Sequence, residues 1–425
     1  MKFKLSGSNV ETTTLHPVPT NEKRSWVSVM LIQAGAQICV PSLLLGGLLV
    51  EAMPLKDAII AGLLGYIGVA ILISLIGIIG RDLSVPTCVV TKGIFGSTGS
   101  RVLISSLFTL TMIGWFAIQN TVCGESFTNF MANFGINIPV AASSIIWGII
   151  MMITAVFGVR ALNLLNVIAI PALLVLMIVG TYMAIDIHGT EIAFASKEST
   201  MSMVEAVVMV ISFSACAICT CCDFTRYQKT RKDTALANSI GIAGGGFVVH
   251  VLGAVMSAIT QQYDITAVLM QLGLVVLGMV ILILATWTTN TVNSYASGIN
   301  LVMLFNAKDD KRALCTLIAG IVATIAAVLG LLSHLEGFIT WLGNVYMPLI
   351  GAMIGDYWII EKASPDRFRF KEGWDYIGII SVIAGLVVTV VIPYGLPAIQ
   401  GGILSFILII VLRKVFKDTR EGIIE

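Results

Sequence analysis

Charge is scarce in this chain. Only 12% of its 425 residues are Asp, Glu, Lys or Arg, and 57% are hydrophobic. A soluble chain of this length carries about a quarter charged residues. So little charge cannot coat a large water-exposed surface, which excludes a soluble protein. A catalytic domain has nowhere to fold, because the longest polar stretches are 80–100, 186–201 and 359–373. Histidine is also sparse: His16, His188, His250 and His334 are scattered and form no ligand set. Seven of the eight cysteines (39, 123, 216, 219, 221, 222 and 315) lie inside apolar runs, where Cys behaves as a small hydrophobe. The cluster Cys216-Ala-Ile-Cys219-Thr-Cys221-Cys222 has no His nearby and reads as close helix packing before it reads as a metal site. No nucleophile–base pair is visible, so no enzyme is expected. Residues 1–25 are polar and lack the apolar core and cleavage site of a signal peptide. The net charge of +1 offers no footprint for nucleic acid.

What the chain has instead is apolar runs, each long enough to span a bilayer. Twelve can be drawn, at 26–50, 55–79, 101–131, 138–158, 161–185, 202–222, 235–259, 268–303, 312–332, 336–358, 374–391 and 396–415. The eighth is too long for one span, so its start is expected to form an external, lid-like segment. The third is long enough to tilt. With the N-terminus inside, Lys and Arg fall almost entirely on the inner side, and only Lys56 and Lys197 fall outside. That asymmetry obeys the positive-inside rule. It puts both termini in the cytoplasm of a multi-pass protein of the plasma (inner) membrane. The expected partner is the lipid bilayer, and no obligate protein partner is implied.

Four polar islands interrupt these runs, and polar groups at membrane depth mark sites. In span 8, Ala285-Thr286-Trp287-Thr288-Thr289-Asn290-Thr291-Val292-Asn293-Ser294-Tyr295 follows the apolar run 275–284. In span 1, Gln33-Ala34-Gly35-Ala36-Gln37-Ile38-Cys39-Val40-Pro41-Ser42 contains a proline that blocks the carbonyl one turn earlier, at Gln37. Carbonyls freed near Gly35 to Cys39 could ligate a cation. A merely kinked packing helix is the other reading. In span 6, Ser212-Phe213-Ser214 offers two hydroxyls around a ring, which suits a planar heteroaromatic ligand. Serine bonding back to its own helix is the alternative. In span 3, Gly114-Trp115-Phe116 precedes Gln119 and Asn120. Trp115 lies roughly 21 Å along the helix from Arg101, too deep for an interfacial belt residue. Interruptions in spans 1 and 6, five helices apart, point to an inverted repeat with its site at the midplane.

These residues bring out a resemblance. Trp287-Thr288-Thr289-Asn290 with Tyr295-Ala296-Ser297-Gly298, the loop Asp223-Phe224-Thr225-Arg226-Tyr227, the Gly114-Trp115-Phe116 triplet and Gly46-Gly47 are similar to the first class of nucleobase–cation symporters, bacterial cytosine permeases above all. The resemblance covers nearly the whole chain. It implies an all-α membrane protein of twelve transmembrane helices: a five-plus-five inverted repeat with broken helices 1 and 6, plus two extra helices. The boundaries would be a tail at 1–25, repeats at 26–185 and 202–358, helices 11 and 12 at 374–415 and a tail at 416–425. It implies a sodium site between spans 1 and 8, with the carbonyls of Gly35, Cys39 and Ala285 and the hydroxyls of Thr288 and Thr289 as ligands. Substrate would stack on Trp115 and Phe213, while Asn290, Ser212, Ser214, Gln37 and Gln119 would face its polar edge. Cytosine permeases carry an aromatic at the position of Cys39 and an Asn at that of Ala285, and span 6 stands one residue out of register.

The expected function is therefore secondary active import of a nucleobase, cytosine first, by alternating access and with Na⁺ as coupling ion and no other cofactor. A proton-coupled carrier of a purine, hydantoin, allantoin or thiamine-precursor pyrimidine is the alternative.

Overall fold

The computed structural model describes residues 16–157, 159–195, 197–308, 311–392, 395–416 and 419–424, with the backbone path alone at 157 and 159–168. Among these residues the chain is helical from end to end and contains no strand beyond two isolated bridges. A bilayer imposes this, because every main-chain N–H and C=O in hydrocarbon must be paired within its own segment.

The first span is two helices, α1 (Trp26–Gln37) and α2 (Val40–Ala52), bent by 57° at Ile38 and Cys39. Pro41 sits in the first turn of α2, where its missing N–H costs nothing. Span 2 is α3 (Leu55–Leu83). Two short helices, α4 (Thr87–Val90) and α5 (Lys92–Gly99), cross the inner side to span 3, α6 (Ser105–Ala132). Spans 4 and 5 are α7 (Val140–Phe157) and α8 (Val159–His188). Span 6 is α9 (Met203–Thr220), followed by α10 (Cys222–Thr225). Span 7 combines α11 (Arg231–Asn238), a π-turn over Ser239–Gly244 and α12 (Gly245–Thr260).

The overlong eighth run divides as its length requires. A short helix, α13 (Ile265–Gln271), turns at Gly273 with φ +71° into the span proper, α14 (Val275–Leu304). Spans 9 to 12 are α15 (Arg312–Val328), α16 (Leu335–Ile354), α17 (Tyr376–Val391) and α18 (Pro397–Val415). Among the described residues, eight helical segments are long and apolar enough to cross a membrane; the bent pair adds a ninth, and three shorter apolar helices fill the remaining places.

One expectation is corrected. Span 6 is not interrupted at Ser212-Phe213-Ser214: α9 is continuous from Met203 to Thr220. It contains no Gly or Pro, and Ser202 and Glu205 form a reciprocal capping box at its start. Two serines alone do not break such a helix.

Packing sorts the spans into two groups. α2 lies along α12, and α3 along α9 and α11, so spans 1, 2, 6 and 7 form one body. α6, α7, α14 and α15 pack on one another, so spans 3, 4, 8 and 9 form a second. The members of each group are five spans apart. The second body has its own small core of Phe116, Cys123, Met151, Met152, Ile283 and Ala323.

Close approach inside the first body relies on glycine. A Cβ on Gly46 would stand 2.2 Å from the His250 carbonyl oxygen, and one on Gly253 would stand 2.4 Å from that of Leu43. Both obstacles are backbone and cannot swing aside. Gly46→Ala therefore forces α2 off α12. The expected cost is about 1–3 kcal/mol, seen as a lower melting temperature of the detergent-solubilised protein. Gly337→Ala, where a Cβ meets nothing within 4 Å, should leave the melting temperature unchanged.

Candidate functional site

The site is built from the break in span 1. The Ile38 N–H still bonds the Ala34 carbonyl at 2.9 Å, but the Cys39 N–H turns to the Gln37 carbonyl at 3.0 Å. The Ser42 hydroxyl also donates to Gln37 O, at 2.7 Å. The ladder thus skips two carbonyls: among the described residues, no backbone N–H reaches those of Gly35 and Ala36. The Cys39 carbonyl accepts from the Ser42 N–H at 3.2 Å. Gly35 is half-buried and Ala36 exposed, so a cation or a water can reach these free carbonyls.

In α14, the Thr288 and Thr289 hydroxyls converge on the Ala285 carbonyl, at 2.9 and 3.0 Å. Three hard oxygens thus sit within one helical turn. Thr288 is buried and Thr289 half-buried. Rotating either hydroxyl proton away would turn the cluster into neutral oxygen ligands. This donor set suits a hard monovalent cation. Among the described residues no group of His, Cys, Asp and Glu could hold a metal ion instead. α14 lies across α6 and reaches α2, on the far side of the break.

The aromatic part is an edge-to-face corner. The Trp115 ring stands 5.3 Å from that of Phe213 at 77°, and 5.1 Å from that of Phe338 at 88°. Phe338 stacks on Trp341 at 5.8 Å. Sequence reasoning missed these two span 10 residues; their signal is an aromatic pair three apart on one helix face. The Gly114-Trp115-Phe116 triplet now has a residue-by-residue account. A Cβ on Gly114 would collide with the Phe338 ring, Trp115 forms the corner, and the Phe116 carbonyl accepts from the Asn290 amide at 3.0 Å.

The polar candidates divide. The Gln37 amide donates to the Ser214 hydroxyl at 3.3 Å, joining the broken span 1 to span 6. Gln119 is 2% exposed and its side-chain oxygen has no partner among the described residues. It lies one turn beyond Trp115, an acceptor left open in the same region. Gln33, 1% exposed, has neither amide atom paired; it belonged to the polar island of span 1 but had been given no role.

Two residues lie away from the places expected of them. Ser212 is turned toward Gly343 of span 10, where a Cβ would stand 2.1 Å from its hydroxyl. Phe213 and Ser214 take the faces toward spans 3 and 1 instead, because successive helical residues point about 100° apart. Asn290 is fully buried, with its amide nitrogen shared between the Phe116 carbonyl and the Met151 sulfur and its oxygen accepting from Asn293. Both of its donors are occupied by neighbouring helices, and none is left for a base edge.

Outside the membrane-spanning segments, the helix ends near Asp82 are tied by charge. Asp82 takes an ion pair from Arg231 at 2.5 Å and a hydrogen bond from the Tyr357 hydroxyl at 2.7 Å. Lys23 bonds Ser84 and the Arg226 carbonyl. Burial, and then the nearby charge of Arg81, lower its pKa to about 8.

Comparison with known proteins agrees with this geometry. Residues 17–410 match the family described as permease for cytosine/purines, uracil, thiamine, allantoin. The cytosine permease of Escherichia coli (strain K12) is 27% identical over 400 residues, which cover 92% of this chain and 93% of the relative. Among solved structures, the inward-facing conformation of Mhp1 superimposes with a TM-score of 0.84 at 18% identity, over 94% of this chain and 93% of Mhp1. Closed Mhp1 with bromovinylhydantoin bound, described as a nucleobase-cation-symport-1 family transporter, gives 0.76 at 18% identity, over 95% and 94%. The chain is an integral membrane transporter, not an enzyme, and it belongs to the family of permeases for cytosine and purines, uracil, thiamine and allantoin.

Proposed function

We propose that this transporter imports a nucleobase, cytosine first, by symport with Na⁺ and by alternating access. The observation that carries the reading is the convergence of the Thr288 and Thr289 hydroxyls on the Ala285 carbonyl, in the span that reaches α2 beyond the opened backbone of span 1. The carbonyls of Gly35 and Cys39 would complete the ion shell. Na⁺ has no directional demands that such a set fails to meet.

The base would lie against Trp115 and Phe213, with Gln37, Ser214 and Gln119 along its edge. An amide supplies a donor and an acceptor side by side, which matches the amine and ring nitrogen of cytosine. One feature favours cytosine: the E. coli relative is a cytosine permease; Mhp1, which shares the fold, is seen with bromovinylhydantoin bound. The five-plus-five repeat at 26–185 and 202–358, and both termini in the cytoplasm of an inner membrane, belong to the same proposal. Na⁺ would order the α1–α2 break and the α14 turn together. Each ligand would then raise the affinity of the other by the same factor.

Three variants test this reading. Thr289→Val keeps the side-chain shape and removes an oxygen, so the Na⁺ stimulation of base uptake should disappear. Full stimulation in that variant, or a proton gradient that drives uptake without Na⁺, overturns sodium coupling. Trp115→Ala should weaken base binding by about tenfold or more, since a lost stack costs roughly 1–3 kcal/mol. Asn290→Asp puts a carboxylate against the Phe116 carbonyl. It should destabilise the protein by about 1–3 kcal/mol while leaving the ranking of cytosine, uracil, adenine, hypoxanthine and hydantoin unchanged; a reordered ranking would put Asn290 at the base.

A further inference from the structure

A second cavity opens behind the aromatic corner, on the side of span 6 that faces away from Trp115. It has a volume of about 330 Å³, inside the range of roughly 300–1,000 Å³ typical of small-molecule sites. Spans 6, 10 and 12 line it, together with the segments just before spans 6 and 12.

The lining is divided by chemistry. Glu205 and Glu336 stand at the mouth, both exposed. The Glu205 carboxylate accepts from the Ser202 N–H at 2.8 Å, which holds it in place. Thr340 and Asn344 follow, one turn apart along span 10. At the floor, Ser212 is only 3% exposed, and its hydroxyl makes no hydrogen bond among the described residues. That hydroxyl opens on the cavity, where the polar edge of a ligand can reach it. The walls between are apolar: Met201, Met209, Leu396 and Pro397. A bare metal ion would want oxygens on all sides. Flat apolar walls with carboxylates at one end and a hydroxyl and an amide at the other suit a planar ring with donors on its edge.

We propose that this cavity is a second, outer binding site for an amino-substituted nucleobase, with the Glu336 carboxylate accepting from the exocyclic amine. A carboxylate accepting from the amine of cytosine is an established pairing. The Asn344 amide and the Ser212 hydroxyl meet the ring nitrogen and carbonyl. This rests on the nucleobase reading above, and it gives Ser212 a role apart from the Trp115 corner. One residue separates the two sites, since Phe213 faces Trp115 while Ser212 faces the cavity.

Equilibrium dialysis of radiolabelled cytosine against the purified full-length protein, in sodium buffer, tests the proposal. The wild type should bind two cytosines per chain. Trp115→Ala should retain the outer one. The pair Glu336→Gln with Asn344→Leu should weaken the outer site by about tenfold or more, because a hydrogen bond to a charged group is lost, and should leave the inner site unchanged. Uracil, which has no exocyclic amine, should not compete at the outer site. A single cytosine per chain, lost entirely in Trp115→Ala, overturns the outer site while leaving import standing. Two sites untouched by the double variant also overturn it. Failure to bind cytosine at any site overturns the import reading and this one together.

Discussion

A carbonyl inside a bilayer has no water to turn to, so a helix that breaks there must give its exposed oxygens another partner. In this protein that constraint is concentrated at Ile38 and Cys39. Pro41 stops the ladder, Ser42 caps the Gln37 carbonyl and takes the Cys39 carbonyl through its N–H, and the carbonyls of Gly35 and Ala36 are left over. The rest of the site is arranged around the defect. Gln37 ties it to span 6 through Ser214, and the hydroxyl pair of span 8 lies on the helix that reaches α2. A helix without the break would have no oxygens to offer an ion.

Both bodies are held by close approach at glycines and by polar ties at depth. Spans 1, 2, 6 and 7 approach through glycine notches at Gly46, Gly62, Gly65 and Gly253, which face backbone, the His250 ring or the Val210 side chain. In lipid this is the main attraction available, since apolar side chains gain little by leaving lipid for protein. Polar ties add to this in both bodies: Asn238 to the Ile73 carbonyl and His250 with that of Ala58 in the first, and Asn290 to Phe116, Asn120 to the Ser144 carbonyl and Trp287 to Thr154 in the second.

One end of the helix bundle is closed by charge. Arg413 of span 12 pairs with Asp356 and Asp375, and Arg420 of the tail pairs with Asp356 and Glu361, all of them buried. Both arginines also donate to the Gly93 carbonyl. The tail is fixed further by the bridge between Phe370 and Gly422. The inner end of span 10 is thereby joined to spans 11 and 12 on one side, and through Tyr357 and Asp82 to span 2 on the other.

The sequence by itself determined the spans, the bend in the first one and the divided eighth run. These follow from local rules: apolar length against bilayer thickness, a proline that cannot donate, and a run too long for one crossing. It also determined which residue types gather at the midplane, because an unpaired amide or hydroxyl is costly there and stands out against Leu and Val. Only the tertiary structure decided which way those groups face. Asn290 and Thr289 are neighbours in sequence, yet one is spent on spans 3 and 4 and the other turns to the Ala285 carbonyl. Ser212 and Ser214 flank one Phe but serve opposite sides of span 6. Span 6 stayed whole because nothing in it breaks a helix, whatever its polarity suggested. Phe338 and Trp341 lie on span 10 around Thr340, outside the four polar islands, and they joined the aromatic corner only when span 10 was packed against Gly114. A one-dimensional pattern records the period of a helix but not its rotation about its axis, and that rotation is set by what the other helices present.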